Sequence, residues 1–258
     1  MHKRNTQQRR RAIIDKLNAE GELSVEVLAQ EHGTSEVTIR KDLAALEASG
    51  LLLRKYGGAV PVPKEMELVS TAEAIEKVSK QKQAIAKAAA KLIRDHNRII
   101  IDAGQTTAAL LPELANKLGL VVMTNSLNVA NALRELENEP TLLMTGGTWD
   151  TQSEAFQGQL AEEVLRSYDF DQLFIGADGI DPERGTTTYN ELYSLSRVMA
   201  EVSREVVVVV ESEKVGRKIH NLELAWTDID LLVTDDKLSS AIKKEIQAQG
   251  VKVVCAKV

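Results

Sequence analysis

Ser35-Glu36-Val37-Thr38-Ile39-Arg40-Lys41-Asp42-Leu43 decides how the N-terminal end of this chain is read. Ser35 is a favoured helix cap after the Gly33-Thr34 turn, and the helix it starts is expected to run to residue 49, where Gly50 ends it. At 3.6 residues per turn, Ile39, Leu43 and Leu46 fall on one face and should pack inward. Val37, Lys41 and Ala44 fall on the opposite face, flanked by Thr38 and Arg40. Two cations, a hydroxyl and an isolated valine make an unusual solvent face but suit a major groove. Cations there meet phosphates or guanine edges, and a valine meets a thymine methyl. The helix start at Ser35 and Glu36 also favours a phosphate. A plain solvated helix with Val37 in the core explains this face equally well while the helix is taken alone.

Its surroundings favour the groove reading. Residues 24–32 read as a helix with Val25, Leu28 and Ala29 inward, and residues 7–19 as an earlier one with Ile13, Ile14 and Leu17 inward. After the reading helix, residues 51–60 are apolar and basic around Gly57-Gly58, which predicts a hairpin. Two helices in helix-turn-helix spacing, followed by a hairpin "wing", are expected to bind double-stranded DNA. The wing residues Arg54, Lys55 and Tyr56 lie along the backbone or a minor groove in that reading. Arg9, Arg10 and Arg11 are expected to add phosphate contacts, giving affinity rather than sequence reading. The charge distribution agrees: residues 1–60 hold ten Lys/Arg against eight Asp/Glu, whereas the rest holds 22 against 30 and makes the whole chain −6.

From residue 98 short apolar runs alternate with helical stretches, which predicts a mostly parallel sheet with right-handed crossovers. Strands are expected at 98–103, 120–124, 141–144, 172–177, 205–211, 231–234 and 252–258. Helices are expected at 77–94, from 107, from 127, and at 158–168, 192–204 and 239–249. Ligands gather at the carboxyl ends of such strands. Asp102-Ala103-Gly104-Gln105-Thr106-Thr107 lies between a strand and a helix, and its amides and two hydroxyls suit a phosphate. No Gly-Lys-Ser/Thr follows, so it is not a Walker loop. Thr124-Asn125-Ser126, Gly146-Gly147, residues 176–181 with Asp178, and residues 211–217 with Lys214 read as further turns on the same rim. Asp178 is the natural acceptor for sugar hydroxyls and Lys214 the natural phosphate partner.

Composition bounds the class. Aromatics make up 3% of 258 residues, so the core must be aliphatic, as buried parallel strands require. Cys255 is the single cysteine and reads as a small apolar residue in a last strand, which fits a reducing compartment. With a polar, basic start and no apolar run of membrane length, the chain is expected to be cytoplasmic, with no membrane partner. His2, His32, His96 and His220 lack ligand spacing, so no metal or cofactor is expected.

The ordered run of residues 23–29, 35–43, Leu46-Glu47 and Tyr56-Gly57-Gly58-Ala59 resembles the N-terminal signature of the DeoR family of bacterial sugar-metabolism repressors. The later half resembles the same family. Residues 102–107 look like its phosphate loop, and 124–126, 146–147, 176–181 and Asn190-Glu191 like further family turns. Residues 123–127 and 190–194 look most like the glucitol- and galactitol-operon repressors. The resemblance implies a winged helix-turn-helix over residues 1–60, a linker over 61–76, and an α/β sensor domain over 77–258 similar in fold to ribose-5-phosphate isomerase. It also implies an effector that is a phosphorylated sugar or sugar alcohol, held by Asp102, Gly104, Gln105, Thr106, Thr107, Thr124, Asn125, Ser126, Gly146, Gly147, Asp178, Glu191 and Lys214. The protein is then a homodimer or homotetramer on operator DNA. This chain departs from the family at Glu211-Ser212-Glu213-Lys214, where Asp-Ser-Ser-Lys is usual, and at Gln105, where Ser is common. The alternative is an isomerase-like enzyme with an added DNA-binding module. Against it, Gly179 stands where the related isomerases follow their aspartate with a glutamate, and no catalytic residue is assigned.

Overall fold

In the computed structural model, residues 9–10, 12–14, 16–17, 21–47, 52–55, 57–60, 78–190, 193–217 and 219–258 are described. The chain divides into two compact units, residues 1–69 and 70–258. The expected linker, residues 61–76, lies wholly outside the described residues, as do Arg11, Tyr56 and Glu191.

In the first unit, the described residues between 9 and 17 are helical. They are followed by α1 (Val25–Glu31) and α2 (Glu36–Glu47). Ile13, Leu17, Leu28, Ile39, Leu43 and Leu52 are fully or almost fully buried in one apolar cluster. The expected hairpin is present as β2 (Leu53–Lys55) and β3 (Gly58–Val60). A third strand, β1 (Leu23–Ser24), pairs with β3 and was too short to show a period. Glycine permits that pairing: a Cβ on Gly58 would lie 2.1 Å from the Leu23 carbonyl oxygen.

The second unit is built on a seven-stranded parallel sheet. Its strands are β4 (Arg98–Ile101), β5 (Val121–Thr124), β6 (Thr141–Met144), β9 (Gln172–Ile175), β12 (Val206–Val209), β14 (Leu231–Asp235) and β15 (Lys252–Ala256). Their order is β15-β14-β12-β9-β4-β5-β6. Alternate residues of one strand enter different cores. Val207 and Val209 join the cluster under α3 (Lys80–Ala90) and α5 (Leu127–Arg134). Val206 and Val208 join the one under α6 (Gln159–Arg166), α7 (Ser194–Glu201) and α8 (Ser240–Ala248). Burial on both faces explains the unbroken Val run. Each such side chain contributes roughly 1.5–3 kcal/mol relative to exposure. No described helix is long and apolar enough to cross a membrane.

Two small sheets lie outside the sequence expectations. A hairpin joins β7 (Thr148–Asp150) to β8 (Ala155–Gln157). A three-stranded antiparallel sheet joins β10 (Gly179–Asp181), β11 (Gly185–Thr188) and β13 (Asn221–Ala225). Residues 179–181, read as turn, are therefore strand. The sequence gives no apolar alternation here because β11 is Gly-Thr-Thr-Thr, whose buried hydroxyls are matched by hydrogen bonds rather than by apolar contacts.

The sheet order fixes where a ligand can sit. From β4 the chain moves outward through β5 to β6, then returns to the other side of β4 as β9. The carboxyl ends of β4 and β9 thus flank the switch point, the usual crevice of an open parallel sheet.

Candidate effector rim and DNA-reading head

The reading helix α2 starts as expected. The Thr38 amide donates to Ser35 Oγ (3.2 Å), and the two hydroxyl oxygens lie 2.9 Å apart. Val37 is 58% exposed, far from any core. Lys41 is exposed as well, and Arg40 pairs with Glu36 one turn back, at 2.5 Å. That pair is solvent-exposed and contributes little, so a phosphate or base can displace it. In the wing, Arg54 pairs with Glu47 at 3.5 Å and Lys55 with Glu22, again at the surface.

Arg9 and Arg10, expected to meet phosphates, are also tied to the head itself. Arg9 Nε donates to Asp42 Oδ2 at 2.6 Å, and Arg10 Nε to Asp42 Oδ1 at 2.8 Å. The Asp42 side chain is 3% exposed and that of Arg9 only 13%. A buried carboxylate needs such partners, and it draws Arg9 inward, while the Arg10 side chain stays 36% exposed.

At the sensor rim, the sheet order brings together the carboxyl ends of β12, β9, β4, β5 and β6, and with them the turns that follow these strands, at residues 102–107, 124–126, 146–147, 176–178 and 210–217. Gly104, at φ +156°, turns the chain into α4 (Gln105–Ala108). Thr107 departs from its expected role. Its hydroxyl donates to the Gly104 carbonyl (2.9 Å) and is fully buried, so it closes the loop from within. Thr124, Asn125 and Ser126 also brace the rim, all buried. Thr124 Oγ1 accepts from the Ser126 amide at 3.1 Å, and Ser126 Oγ caps α5 through the Val129 amide at 3.4 Å. Asn125 ties two strand ends: its Oδ1 accepts from the Ala103 amide (2.9 Å) and its Nδ2 donates to Asp102 Oδ1 (2.8 Å). Gly147 admits the β7–β8 hairpin, since a Cβ there would lie 2.5 Å from the Gln157 carbonyl oxygen. Gly146 beside it, at φ +61°, has the left-handed backbone that glycine favours.

Four acidic groups face or back this rim. Burial pushes Asp102 up to about 6, against the Asn125 and Ala103 hydrogen bonds, and the Asp178 charge adds to the rise. Asp178 accepts from Thr188 Oγ1 (2.8 Å) and from the Tyr189 amide (3.2 Å). Glu223, on β13, accepts from Ser196 Oγ at 2.7 Å and from Thr186 Oγ1 at 3.3 Å. Burial pushes it up to about 8, and the charges of Asp102 and Asp178 contribute. Glu211 is buried and accepts from Ser79 Oγ at 2.6 Å.

The cations come from two elements. Lys214 Nζ reaches the Ala177 carbonyl at 3.3 Å. Lys82, in the first turn of α3, donates to Gln105 Oε1 at 2.9 Å and lies 3.5 Å from Glu211 Oε2. Sequence reading missed Lys82, Ser79 and Glu223 as members of this group, whereas Glu211 lies in the 211–217 turn it placed on the rim. Lys82 sits in an Ala/Lys-rich helix whose other lysines look alike, and only α3's packing beside the Gly104 loop singles it out. Gly179 is closed to any side chain: a Cβ would stand 2.7 Å from Thr187 Oγ1 and 2.8 Å from the Arg217 carbonyl oxygen.

Comparison with known proteins agrees with this division. Residues 9–65 match the model of the DeoR-like helix-turn-helix domain, and residues 77–236 that of the DeoR C terminal sensor domain. The putative aga operon transcriptional repressor of Escherichia coli O157:H7 is 38% identical over 254 residues, covering 96% of this chain and 93% of its own length. The lactose phosphotransferase system repressor of Lactococcus lactis subsp. lactis is 33% identical, over 91% of this chain and 93% of its own. Among solved structures, ribose 5-phosphate isomerase A from Methanocaldococcus jannaschii aligns over 53% of this chain and 54% of its own at 22% identity, with a TM-score of 0.39. With a helix-turn-helix head, a sensor domain after it and relatives matched over nearly its whole length, the chain is a member of the DeoR family of DNA-binding transcriptional regulators.

Proposed function

We propose that the protein represses an operon of sugar or sugar-alcohol catabolism and leaves its operator when a phosphorylated sugar or sugar alcohol occupies the sensor rim. The observation that carries this is the meeting, at the switch point of the parallel sheet, of carboxylates with two lysines and the Gly104 loop. Asp102 and Asp178 suit hydroxyl donors of a polyol, while Lys82 and Lys214 suit a phosphate. The names of the relatives, an aga operon repressor and a lactose phosphotransferase system repressor, support the metabolic setting. Their being regulators, and the closed space at Gly179, favour sensing over catalysis. A homo-oligomer holding two heads would read a palindromic operator. Ligand control requires the effector to bind the two arrangements with unequal affinity.

The test is a fluorescence-anisotropy titration of the full chain on DNA from upstream of its own gene, with and without a panel of phosphorylated hexoses and hexitols. One phosphate that weakens binding, while its unphosphorylated parent does not, is the expected result. Binding that no member of the panel alters would overturn the effector assignment.

A further inference from the structure

Asp42 stands where an apolar residue belongs. Ile39, Asp42, Leu43 and Leu46 are the buried residues of α2, and they follow the i, i+3, i+4, i+7 spacing of a core stripe. The stripe packs on a small core that includes Ile13 and Leu17. Aliphatic cores tolerate exchange of their side chains at constant volume and lose uniqueness before stability, so apolar burial alone specifies a helix's orientation less sharply than a hydrogen-bonded charge does. A carboxylate does not behave that way. Its two oxygens point in different directions and each takes its own guanidinium: Oδ2 that of Arg9 at 2.6 Å, Oδ1 that of Arg10 at 2.8 Å. Charge-assisted bonds of this length are strongly directional. Replacing a buried ion pair by apolar residues is often neutral or stabilising, so its presence is weak evidence for stability; fixing register is its best-attested use. The far end of the same helix is held similarly: Glu47 Oε1 accepts from the Arg54 amide of the wing at 2.9 Å.

We propose that Arg9, Asp42 and Arg10 form a register lock that sets the rotation of the reading helix on the core of the head. Asp42 and Arg9 are then positioning residues for operator recognition, and Arg9 acts through Asp42 without touching a phosphate. A rotation of α2 by a fraction of a turn would carry Val37, Arg40 and Lys41 away from the base edges while leaving the basic surface in place. The lock therefore governs discrimination between sequences and leaves non-specific affinity largely alone. This rests on DNA recognition through α2.

The experiment measures affinity for the upstream fragment the wild-type full chain binds most tightly, and for a random duplex of equal length, across a salt series. The proteins are the wild type, Asp42→Asn, and the double variant Arg9→Met with Asp42→Leu, which fills the buried stripe with apolar side chains. The expected result for both variants is a fall of roughly tenfold or more in the operator-to-random ratio, the size of one lost base contact. The double variant is expected to keep a melting temperature near the wild type's, with an unchanged slope of log K against log salt. If Arg9 instead met a phosphate, the slope of the double variant would drop by about 0.9 and the ratio would hold; that outcome overturns the lock. So does an unchanged ratio in Asp42→Asn, whose near-identical shape keeps the test valid should the double variant fold poorly. A wild-type protein that does not tell the two fragments apart would sink the recognition reading and the lock together.

Discussion

At Glu223 the surroundings set the ionisation. An ordinary glutamate titrates near 4.5, whereas burial and two neighbouring carboxylates hold this one near 8. Between those values the folded chain keeps the proton and the unfolded chain releases it. Raising the pH therefore removes stability across that window, and the loss levels off above the folded value. Asp102, raised from 3.8 to about 6, adds a slope of the same sign at the lower end. Melting temperatures from pH 5 to 9 should thus decline for the wild type, and Glu223→Gln should flatten the part above pH 6. A wild-type curve rising through that range would contradict the burial argument. In the head, the Arg40 guanidinium forms an exposed pair with Glu36. Arg40→Ala should leave melting unchanged and cost operator binding about 1–3 kcal/mol, the worth of a bidentate base contact. Anisotropy on operator and mismatched duplexes decides this, and equal losses on both would make Arg40 a phosphate contact.

At the scale of elements, β10, β11 and β13 hold the second layer of the rim, because Asp178 and Glu223 take their hydroxyl partners from Thr188 and Thr186, on one face of β11. That strand comes close to β13 only because Gly185 has no side chain. A Cβ there would lie 2.0 Å from the Leu224 carbonyl oxygen, at a φ of +136° that L-residues rarely adopt. Gly185→Ala should therefore destabilise the sensor unit by about 1–3 kcal/mol or more, through overpacking and backbone strain together. Chemical denaturation would read it as a lower midpoint with little change in slope. Gly146→Ala, with nothing within 4 Å of its Cβ, tests the backbone contribution alone and should cost less.

For the whole molecule, the decisive feature is that each unit has hydrophobic packing of its own: one cluster in residues 1–69, and two, on opposite faces of the sheet, in residues 70–258. Calorimetry of the full chain should resolve two unfolding transitions. A phosphorylated effector at one hundred times its dissociation constant should stabilise the sensor transition by roughly 2.7 kcal/mol through mass action. The head transition should stay where it was, because the ligand makes no contact there in this account. Equal shifts of both would mean that the units unfold as one.

What the sequence determined by itself was local and periodic. The 3.6-residue stripe of α2, the short aliphatic runs of the seven parallel strands and the cap at Ser35 each depend on neighbours within a few residues, so they were legible and their boundaries held to within a few positions. The placing of the Gly104 loop, Asp178 and Lys214 along one rim followed from strand alternation in the same way. Tertiary structure alone decided which partner each polar side chain took. Asp42 reads as one more polar residue until the first helix brings Arg9 and Arg10 to it. Lys82 and Glu211 lie more than a hundred residues apart and meet only because α3 packs beside β12 and β14. Thr107 turned to its own loop, and β11 gained strand structure without an apolar pattern. A pattern of hydropathy tells which side chains leave water; the pairing of those that stay polar is fixed by distances across the fold, which no local stretch contains.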